Sequence, residues 1–326
     1  MIKACFSQPK SPSSSSSSTN QFPQNVVTCI YQTQLCDSPT YVTLSWSRTL
    51  FSHSLTIHAS DIFSTTISLN PSTFSFFQTQ HGSKCIQNQH LNKIKLHWNF
   101  TKTVYTQNSA EPESCFYLAI SHGGKLQFLL GDLALNYLTR RQRHLNITTG
   151  TSTSRTEHTP VLLSRREHVF GSRSYVSRAE FMGSKHDIEI ECCEGALRVK
   201  VDSETRLVVK RLVWKFRGYE KFFIDGIEVE FYWDVLSWVV GNNDTNSNGN
   251  HGHGVFVFQV GEGTVWPEIV GAEKRLMRKS VSSGSSVLQW AEENSECGRT
   301  SSSSSSTRSC DIGAFSLLLY AWTINS

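Results

Sequence analysis

Hydrophobic and polar side chains alternate with a period of two over most of residues 187–238. This period is typical of strands that bury one face and leave the other in water. The pattern predicts two consecutive strands and then a third, in which Leu212, Trp214 and Phe216 share one face. Turn-forming sequences separate the three strands, so we expect antiparallel neighbours. The apolar positions of the first two strands are Ile188, Ile190, Cys192, Leu197, Val199 and Val201.

A β-hairpin is predicted around Asp225 and Gly226, which separate the apolar runs 222–224 and 227–233. Asp-Gly between two such runs is a strong signal for a type I′ turn, because glycine adopts a positive φ without strain. The alternation then stops. Residues 235–239 are predicted to form either one capped helical turn or an irregular apolar segment.

Similar short β-type runs cover the rest of the chain, and turn residues separate them at intervals too short for connecting helices. The pattern indicates an all-β fold. We predict an antiparallel β-sandwich, in which two β-sheet halves pack together, with a closed β-barrel as the alternative. The remaining predicted strands are residues 26–35, 40–46, 54–58, 66–69, 73–79, 94–100, 115–120, 126–132, 161–167, 175–182, 255–260 and 315–322.

Segments rich in Ser, Thr, Asn, Gly and Pro divide the chain and are predicted to be disordered or to be linkers. The last apolar run follows one of these segments, and we expect it to add a final strand to a sheet. The predicted parts are a tail at 1–24, a first β-rich half at 25–144, a linker at 145–160, and a second β-rich half at 161–326, which contains an Asn/Gly/His loop at 242–252, a Ser-rich insertion at 280–310 and a closing strand at 313–324.

The two halves share a motif of the form basic-Leu-x-Trp-x-Phe, at residues 95–100 and 211–216. In each half the motif is followed by an aromatic strand, a glycine turn and an apolar strand that ends in an aspartate, Asp132 or Asp234. A duplicated β-unit would explain this likeness. Independent use of a common sheet pattern would explain it equally, and the sequence leaves both explanations open.

Composition excludes several classes of protein. The hydrophobic fraction is 38% and the net charge is +4, with 31 basic against 27 acidic residues. No apolar run approaches the roughly 20 residues that a membrane-spanning helix needs. The modest charge predicts no nucleic-acid partner. The sequence does not indicate an oligomeric state.

The nine cysteines are scattered without metal-ligand spacing, so we expect reduced thiols that pack as small apolar groups. The first residues lack the apolar segment of a secretory signal. We therefore expect the protein in the cytoplasm, with the nucleus as an alternative. A plastid transit peptide is a further alternative, because no acidic residue precedes Asp37.

Candidate catalytic and metal-binding groups have simpler interpretations. His251 and His253 could bind a metal, but no further ligands are near them in the sequence. Five acidic residues could include the carboxylate pair of a glycosidase. We interpret them instead as caps, turn residues or a solvated strand face, and we predict no catalytic residue, no metal and no cofactor. The five are Asp132, Asp225, Glu228, Glu230 and Asp234.

The largest local excess of basic residues lies around residues 140–178, and Arg165, Arg166, Arg173 and Arg178 are the predicted binding residues. Such a set could contact an anionic surface or an unidentified protein partner. Arginines paired with nearby glutamates on exposed strands are the alternative. Ser280 follows basic residues at a spacing that basic-directed kinases accept, and it is a predicted phosphorylation site.

With these runs identified, the chain resembles a plant family known as domain of unknown function 868. The family has no established activity, so the resemblance implies no mechanism. It covers nearly the whole chain from residue 26. The residues that carry it are 27–33, 97–100, 116–119, 129–132, 164–171, 212–218, 225–226, 233–235 and 315–322.

We therefore predict a non-enzymatic binding or interaction module, in which the sheets are a scaffold and loops or the arginine-rich surface recognise a partner. The alternative is a carbohydrate-binding or carbohydrate-active protein with aromatic and acidic residues at one end of the sandwich. Most of the eight tryptophans alternate with apolar residues on the same strand face, so we expect them in the core.

Overall fold

The computed structural model of the protein describes residues 25–36, 38–60, 62–70, 80–87, 93–106, 109–144, 160–181, 183–241, 253–261 and 314–323. The described residues are mostly β-strands. The strands before the predicted linker are β1 (Asn25–Leu35), β2 (Ser38–Arg48), β3 (His53–Ala59), β4 (Phe63–Ser68), β5 (His81–Gln87), β6 (Lys93–Asn99), β7 (Tyr117–His122) and β8 (Lys125–Leu130), followed by helix α1 (Ala134–His144).

The strands after the predicted linker share one large sheet with the first four strands and form a second small sheet of their own. They are β9 (Val161–Gly171), β10 (Ser174–Phe181), β11 (Ser184–Cys193), β12 (Ala196–Val201), β13 (Glu204–Val209), β14 (Arg217–Ile224), β15 (Ile227–Asp234), β16 (His253–Val260) and β17 (Phe315–Thr323). A short helix, α2 (Leu236–Gly241), lies between β15 and β16.

One large sheet holds nine of the strands in the order β14-β15-β16-β17-β9-β1-β2-β3-β4. Strand β9 is at its centre, antiparallel to β1 on one side and parallel to β17 on the other. The remaining strands form two antiparallel meanders, β5 to β8 and β10 to β13. Each meander folds on one wing of the large sheet, and we call the face that both cover the inner face.

Two hydrophobic cores lie between the layers, one in each half. The first core contains Trp46, which packs edge-on against Phe100 and Phe116. The second contains Phe231, whose ring is 4.8 Å from that of Phe258. Burying an aromatic or aliphatic side chain of this size stabilises the fold by roughly 1.5–3 kcal/mol. The protein is therefore two β-sandwiches that share one sheet.

This architecture confirms the predicted all-β sandwich. Each of the three sheets formed by the described residues has two edge strands, so the closed-barrel alternative does not hold. The type I′ hairpin is also confirmed, because Asp225 and Gly226 have φ values of 49° and 79°. The division into two halves at the linker stays a prediction. Both cores nevertheless consist of residues from one side of it, apart from Leu162, which contacts both.

The predicted strand at residues 211–216 is wrong. The chain turns at Asp202 and Ser203, and strand β13 already ends at Val209. Residues 212–214 then form a turn, in which Trp214 is 84% exposed. The apolar alternation was therefore misleading at this position. It predicted that Trp214 packs in a core, but residues 212–214 lie beyond the last strand of the meander.

The likeness between the halves is real over a hairpin and the residue that follows it. The Leu133 N–H donates to the carbonyl of Phe116, and the Val235 N–H donates to the carbonyl of Phe216. Each bond closes a hairpin that leads into a helix. The halves differ in order, however: the first runs from the large sheet to its meander, whereas β10–β17 run from the meander to the large sheet. A tandem duplication of one half would give both halves the same order of large sheet and meander, so it would not produce these two opposite orders.

Several predictions lie outside the described residues. They are the tail at 1–24 with its transit-peptide alternative, the strand at 73–79, most of the linker at 145–160, the loop at 242–252 with His251, and the insertion at 280–310 with Ser280.

Among the described residues, no helix is both long and apolar enough to cross a membrane.

Candidate functional site

The four predicted binding arginines do not form one surface. Arg165 is only 8% exposed and lies on the inner face of β9. Arg166, the next residue along the strand, alternates to the opposite face. Arg173 is exposed in the turn between β9 and β10, and Arg178 is exposed on the outside of the second meander. The role of these residues in binding stays a prediction, but Arg165 is not available to a partner in this structure.

Arg165 is the centre of a buried polar network where the two cores meet. Its guanidinium pairs with Glu111, and its second amino group is 3.3 Å from Glu167 on the same strand. The hydroxyl of Ser177, on β10, donates to Glu167 at 2.6 Å. The thiol of Cys29 is 3.5 Å from Glu111. Strands from both halves therefore contribute to one ion-pair network.

Arg165 keeps its charge despite burial. Burial alone would lower the pKa of the Arg165 guanidinium, but Glu111 and Glu167 raise it well above its ordinary value. Burial and the neighbouring Glu111 raise the pKa of the Cys29 thiol, so the group is protonated and unreactive at neutral pH. These groups act as a structural junction, because a buried charge is tolerated only with partners of opposite sign.

The segment that carries Glu111 joins both halves. The carbonyl of Ala110 is 2.9 Å from Nε2 of His53, and Glu113 forms an ion pair with Arg178 at 3.2 Å. His53 belongs to the large sheet of the first half, whereas Arg178 belongs to the second meander. The segment therefore contacts both strand β3 of the large sheet and strand β10 of the second meander.

A small pocket opens beside His186, at the end of the second sandwich, and is lined in part by Phe181, Ser184 and Asp225. Both ring nitrogens of His186 face carboxylates: Nδ1 is 2.7 Å from Asp202, and Nε2 is 3.4 Å from Asp225. A general base needs one nitrogen directed at a reacting group. Here the ring connects a turn of the meander with a turn of the large sheet, which is a structural arrangement.

The predicted carboxylates are occupied by local contacts. Asp234 accepts the Leu236 N–H at 3.0 Å at the start of helix α2, as expected for a cap, whereas Asp132 accepts the N–H of Phe116, 16 residues earlier in the chain, at 3.0 Å. Glu228 and Glu230 pair with Lys221 on the neighbouring strand. Within the described ranges, no three His, Cys, Asp or Glu side chains lie close enough together to hold a metal ion.

A row of aromatic rings lies on the outer face of the large sheet, opposite the cores. The rings of Tyr219 and Tyr232 are 4.7 Å apart, and both hydroxyls donate to Glu230 at 3.0 Å. Further along the same face, the His253 ring lies 4.6 Å from Trp322. Burial lowers the pKa of the His253 imidazole. The ring of His253 packs at a tilt against Trp322 on this face.

Trp214, in the turn that the alternation did not predict, is the most exposed large apolar side chain of the described residues, and Leu50 and Phe51, between β2 and β3, follow at 75% and 81% exposed. We call residues 210–216 the Trp214 turn. Trp214 is 84% exposed and its neighbour Val213 is 59% exposed. Lys210, Arg211 and Lys215 are exposed around them. Basic residues alternate with Leu212, Trp214 and Phe216 as they would on a strand with one buried face, so no signal in the sequence marked this surface.

The Trp214 turn has a fixed backbone. The N–H groups of Trp214 and Lys215 donate to the carbonyl of Arg211, and Leu212 is buried and donates to the carbonyl of Gly195. Nε1 of the buried Trp233 donates to the carbonyl of Lys215 at 2.8 Å. These bonds hold the exposed side chains on a rigid support.

Comparison with known proteins identifies the family but no activity. Residues 22–323 match the family model described as plant protein of unknown function (DUF868), which confirms the resemblance found in the sequence. No curated protein and no solved structure matches the chain. The chain therefore belongs to the DUF868 family of plant proteins of unknown function.

Proposed function

We propose that the protein is a non-enzymatic binding module that recognises its partner through the Trp214 turn. The observation that carries this proposal is the exposure of Trp214 on a hydrogen-bonded turn. Tryptophan and arginine are the residues most enriched at the energetic centres of binding surfaces. Trp214 and Val213 form an exposed apolar tip beside three cations, and an apolar patch with a polar rim is typical of an interaction site.

The contacts of the titratable groups support a scaffold and not a reaction centre. Asp132 and Asp234 accept backbone N–H groups, and Asp225 lies in a tight turn. The ring of His186 lies between two carboxylates. Each of these groups has a structural role that accounts for its position.

Site-specific crosslinking tests the proposal. A photo-activatable amino acid in place of Trp214 is expected to form adducts in a plant cell extract that contains membranes. The matched control has the same amino acid in place of Phe223, which is 57% exposed at the other end of strand β14. Equal adduct formation at both positions, or none at position 214, would refute the turn as the recognition surface.

Carbohydrate binding is a second candidate function, favoured by the aromatic row on the outer face of the large sheet. Partly exposed rings such as Tyr232 can stack on a sugar, and a neighbouring carboxylate such as Glu230 can accept hydrogen bonds from the sugar hydroxyl groups. A glycan array with the wild type and Tyr232→Ala tests binding, and Asp132→Asn and Asp234→Asn test hydrolysis. If no glycan binds and no glycan is cleaved, this candidate is removed.

A further inference from the structure

We propose that the partner of the Trp214 turn is an anionic lipid surface, with Trp214 and Val213 entering the interfacial region and Lys210, Arg211 and Lys215 contacting the headgroups. This inference rests on the proposed function and specifies its partner. It is argued from the side chains at the end of the turn, from their charges, and from the small size of the surface that they form.

The apolar pair is placed for insertion. Val213 and Trp214 are consecutive at the end of the turn, and both side chains are more than half exposed. The amphipathic ring of tryptophan favours the boundary between headgroups and acyl chains, where one edge stays hydrated. The N–H groups of Trp214 and Lys215 already donate hydrogen bonds within the turn, to the carbonyl of Arg211, so shallow insertion requires no backbone rearrangement.

The charges around the pair suit an anionic surface. Within the described part of the chain, neither Lys210, Arg211 nor Lys215 lies within ion-pair distance of a carboxylate. By contrast, the next cation, Arg217, is bound to Asp234 at 2.9 Å. The one acid on the adjoining turn is Glu194, beside the Gly195 carbonyl that holds Leu212. Three exposed cations therefore flank the apolar tip in the sequence, and the adjoining turn contributes one acid.

The size of the surface favours lipid over a folded protein partner. A specific protein interface buries about 800 Å² on each partner and needs a complementary pocket for a protruding ring. The Trp214 turn has seven residues, of which Leu212 is buried and Phe216 is half-buried. A fluid headgroup region adapts to so small a convex tip, and each Lys or Arg that approaches it adds to the attraction.

Vesicle co-sedimentation of the full chain tests the inference. The wild type is expected to sediment with vesicles of phosphatidylcholine and phosphatidylserine and to stay in solution with phosphatidylcholine alone. Removing one cation should weaken binding about fivefold, and Lys210→Ala, Arg211→Ala and Lys215→Ala together about a hundredfold. Trp214→Ala should also weaken it. Phe223→Ala is the matched control and should bind like the wild type.

The result separates this inference from the function on which it rests. If the wild type does not bind the anionic vesicles, or if Trp214→Ala binds them as the wild type does, the lipid inference is overturned. If position 214 then still crosslinks to a protein while position 223 does not, the binding module stands with a protein partner. If the protein does not bind the anionic vesicles and position 214 forms no crosslink, both proposals fail. A melting curve of each variant checks that loss of binding is not loss of fold.

Discussion

Two dibasic pairs of this chain have different roles. Arg165 and Arg166 lie on a central strand, where Arg165 is buried among carboxylates at the junction of two cores. Lys210 and Arg211 lie on an exposed turn, outside ion-pair distance of any carboxylate in the described chain. The sequence motif is similar, and the surroundings decide the role. The buried cation stabilises the fold, whereas the exposed cations are available to a partner.

The physical reason is the cost of moving a charge out of water. At the junction the effective dielectric constant is low, so Arg165 must remain paired, and its removal leaves Glu111 and Glu167 as uncompensated charges. At the Trp214 turn water already solvates the cations, so their removal costs the fold nothing. Replacing a cation by alanine should therefore lower stability at the junction, whereas at the Trp214 turn it should lower binding.

The largest predicted effect is that of Arg165→Ala on stability. Because the buried Glu167 and the partly buried Glu111 lose their partner, we expect the free energy of unfolding to fall by about 3–5 kcal/mol. Urea denaturation measures this loss. Arg173→Ala, in the exposed turn after β9, is the control and should leave the midpoint unchanged. If the two variants unfold at the same denaturant concentration, Arg165 is not a structural junction.

A smaller loss is expected for Ser177→Ala, which removes the hydroxyl that donates to the buried carboxylate of Glu167. A hydrogen bond to a charged group contributes about 1.5–3 kcal/mol, and the same denaturation experiment should detect a loss of this size. Ser174→Ala is matched to it, since Ser174 lies on the exposed face of the same strand, β10, and its hydroxyl donates to Glu189 on β11. Equal losses would show that burial of the junction does not matter.

A still smaller effect is expected for Arg178→Ala. This side chain pairs with Asp187 and Glu113, but it is exposed, so water and salt screen both ion pairs. Thermal melting in low and high salt should show a slight difference from the wild type that disappears in high salt. A large loss of stability that persists in high salt would mean that the segment containing Glu113 depends on this contact.

The acid side of the stability profile should reflect Asp202. The hydrogen bond from His186 and the N–H of Asp187 lower the pKa of the Asp202 carboxyl below its ordinary value. A lowered pKa stabilises the fold above the unfolded-state value, 3.8. That stabilisation is lost as the pH falls through the folded-state value. Asp202→Asn should therefore flatten the decrease in melting temperature below about pH 4. A profile parallel to that of the wild type would contradict this contribution.

The sequence predicted most of the strands because their apolar side chains either alternate with polar ones or, as in β16 and β17, form short continuous runs. Strand β5 was missed, since as an edge strand it carries mostly exposed side chains and has no apolar period. The turn around Trp214 was misassigned because alternation in sequence does not show whether a sheet is still present to receive the side chain. Periodicity shows a local preference for a strand, and tertiary packing decides whether that strand forms.

The junction could not be predicted from the sequence. Arg165 meets Glu111 across 54 residues of sequence, and nothing local distinguishes it from the exposed Arg173. The sharing of one sheet by two sandwiches also depends on the pairing of β9 with β1 and β17, which joins distant segments. The cap at Asp234 was predictable, because its partner Leu236 is two residues away, whereas the partner of Asp132, Phe116, is 16 residues away.

The most direct test of the proposed recognition surface is whether the Trp214 ring enters lipid. Its emission can be measured as the difference between the wild type and Trp214→Phe, in anionic vesicles that carry brominated acyl chains. If the turn binds as proposed, the difference signal is quenched by the brominated chains and returns when salt releases the protein. An unquenched difference signal from vesicle-bound protein would contradict the account, because the bound surface would then lie elsewhere.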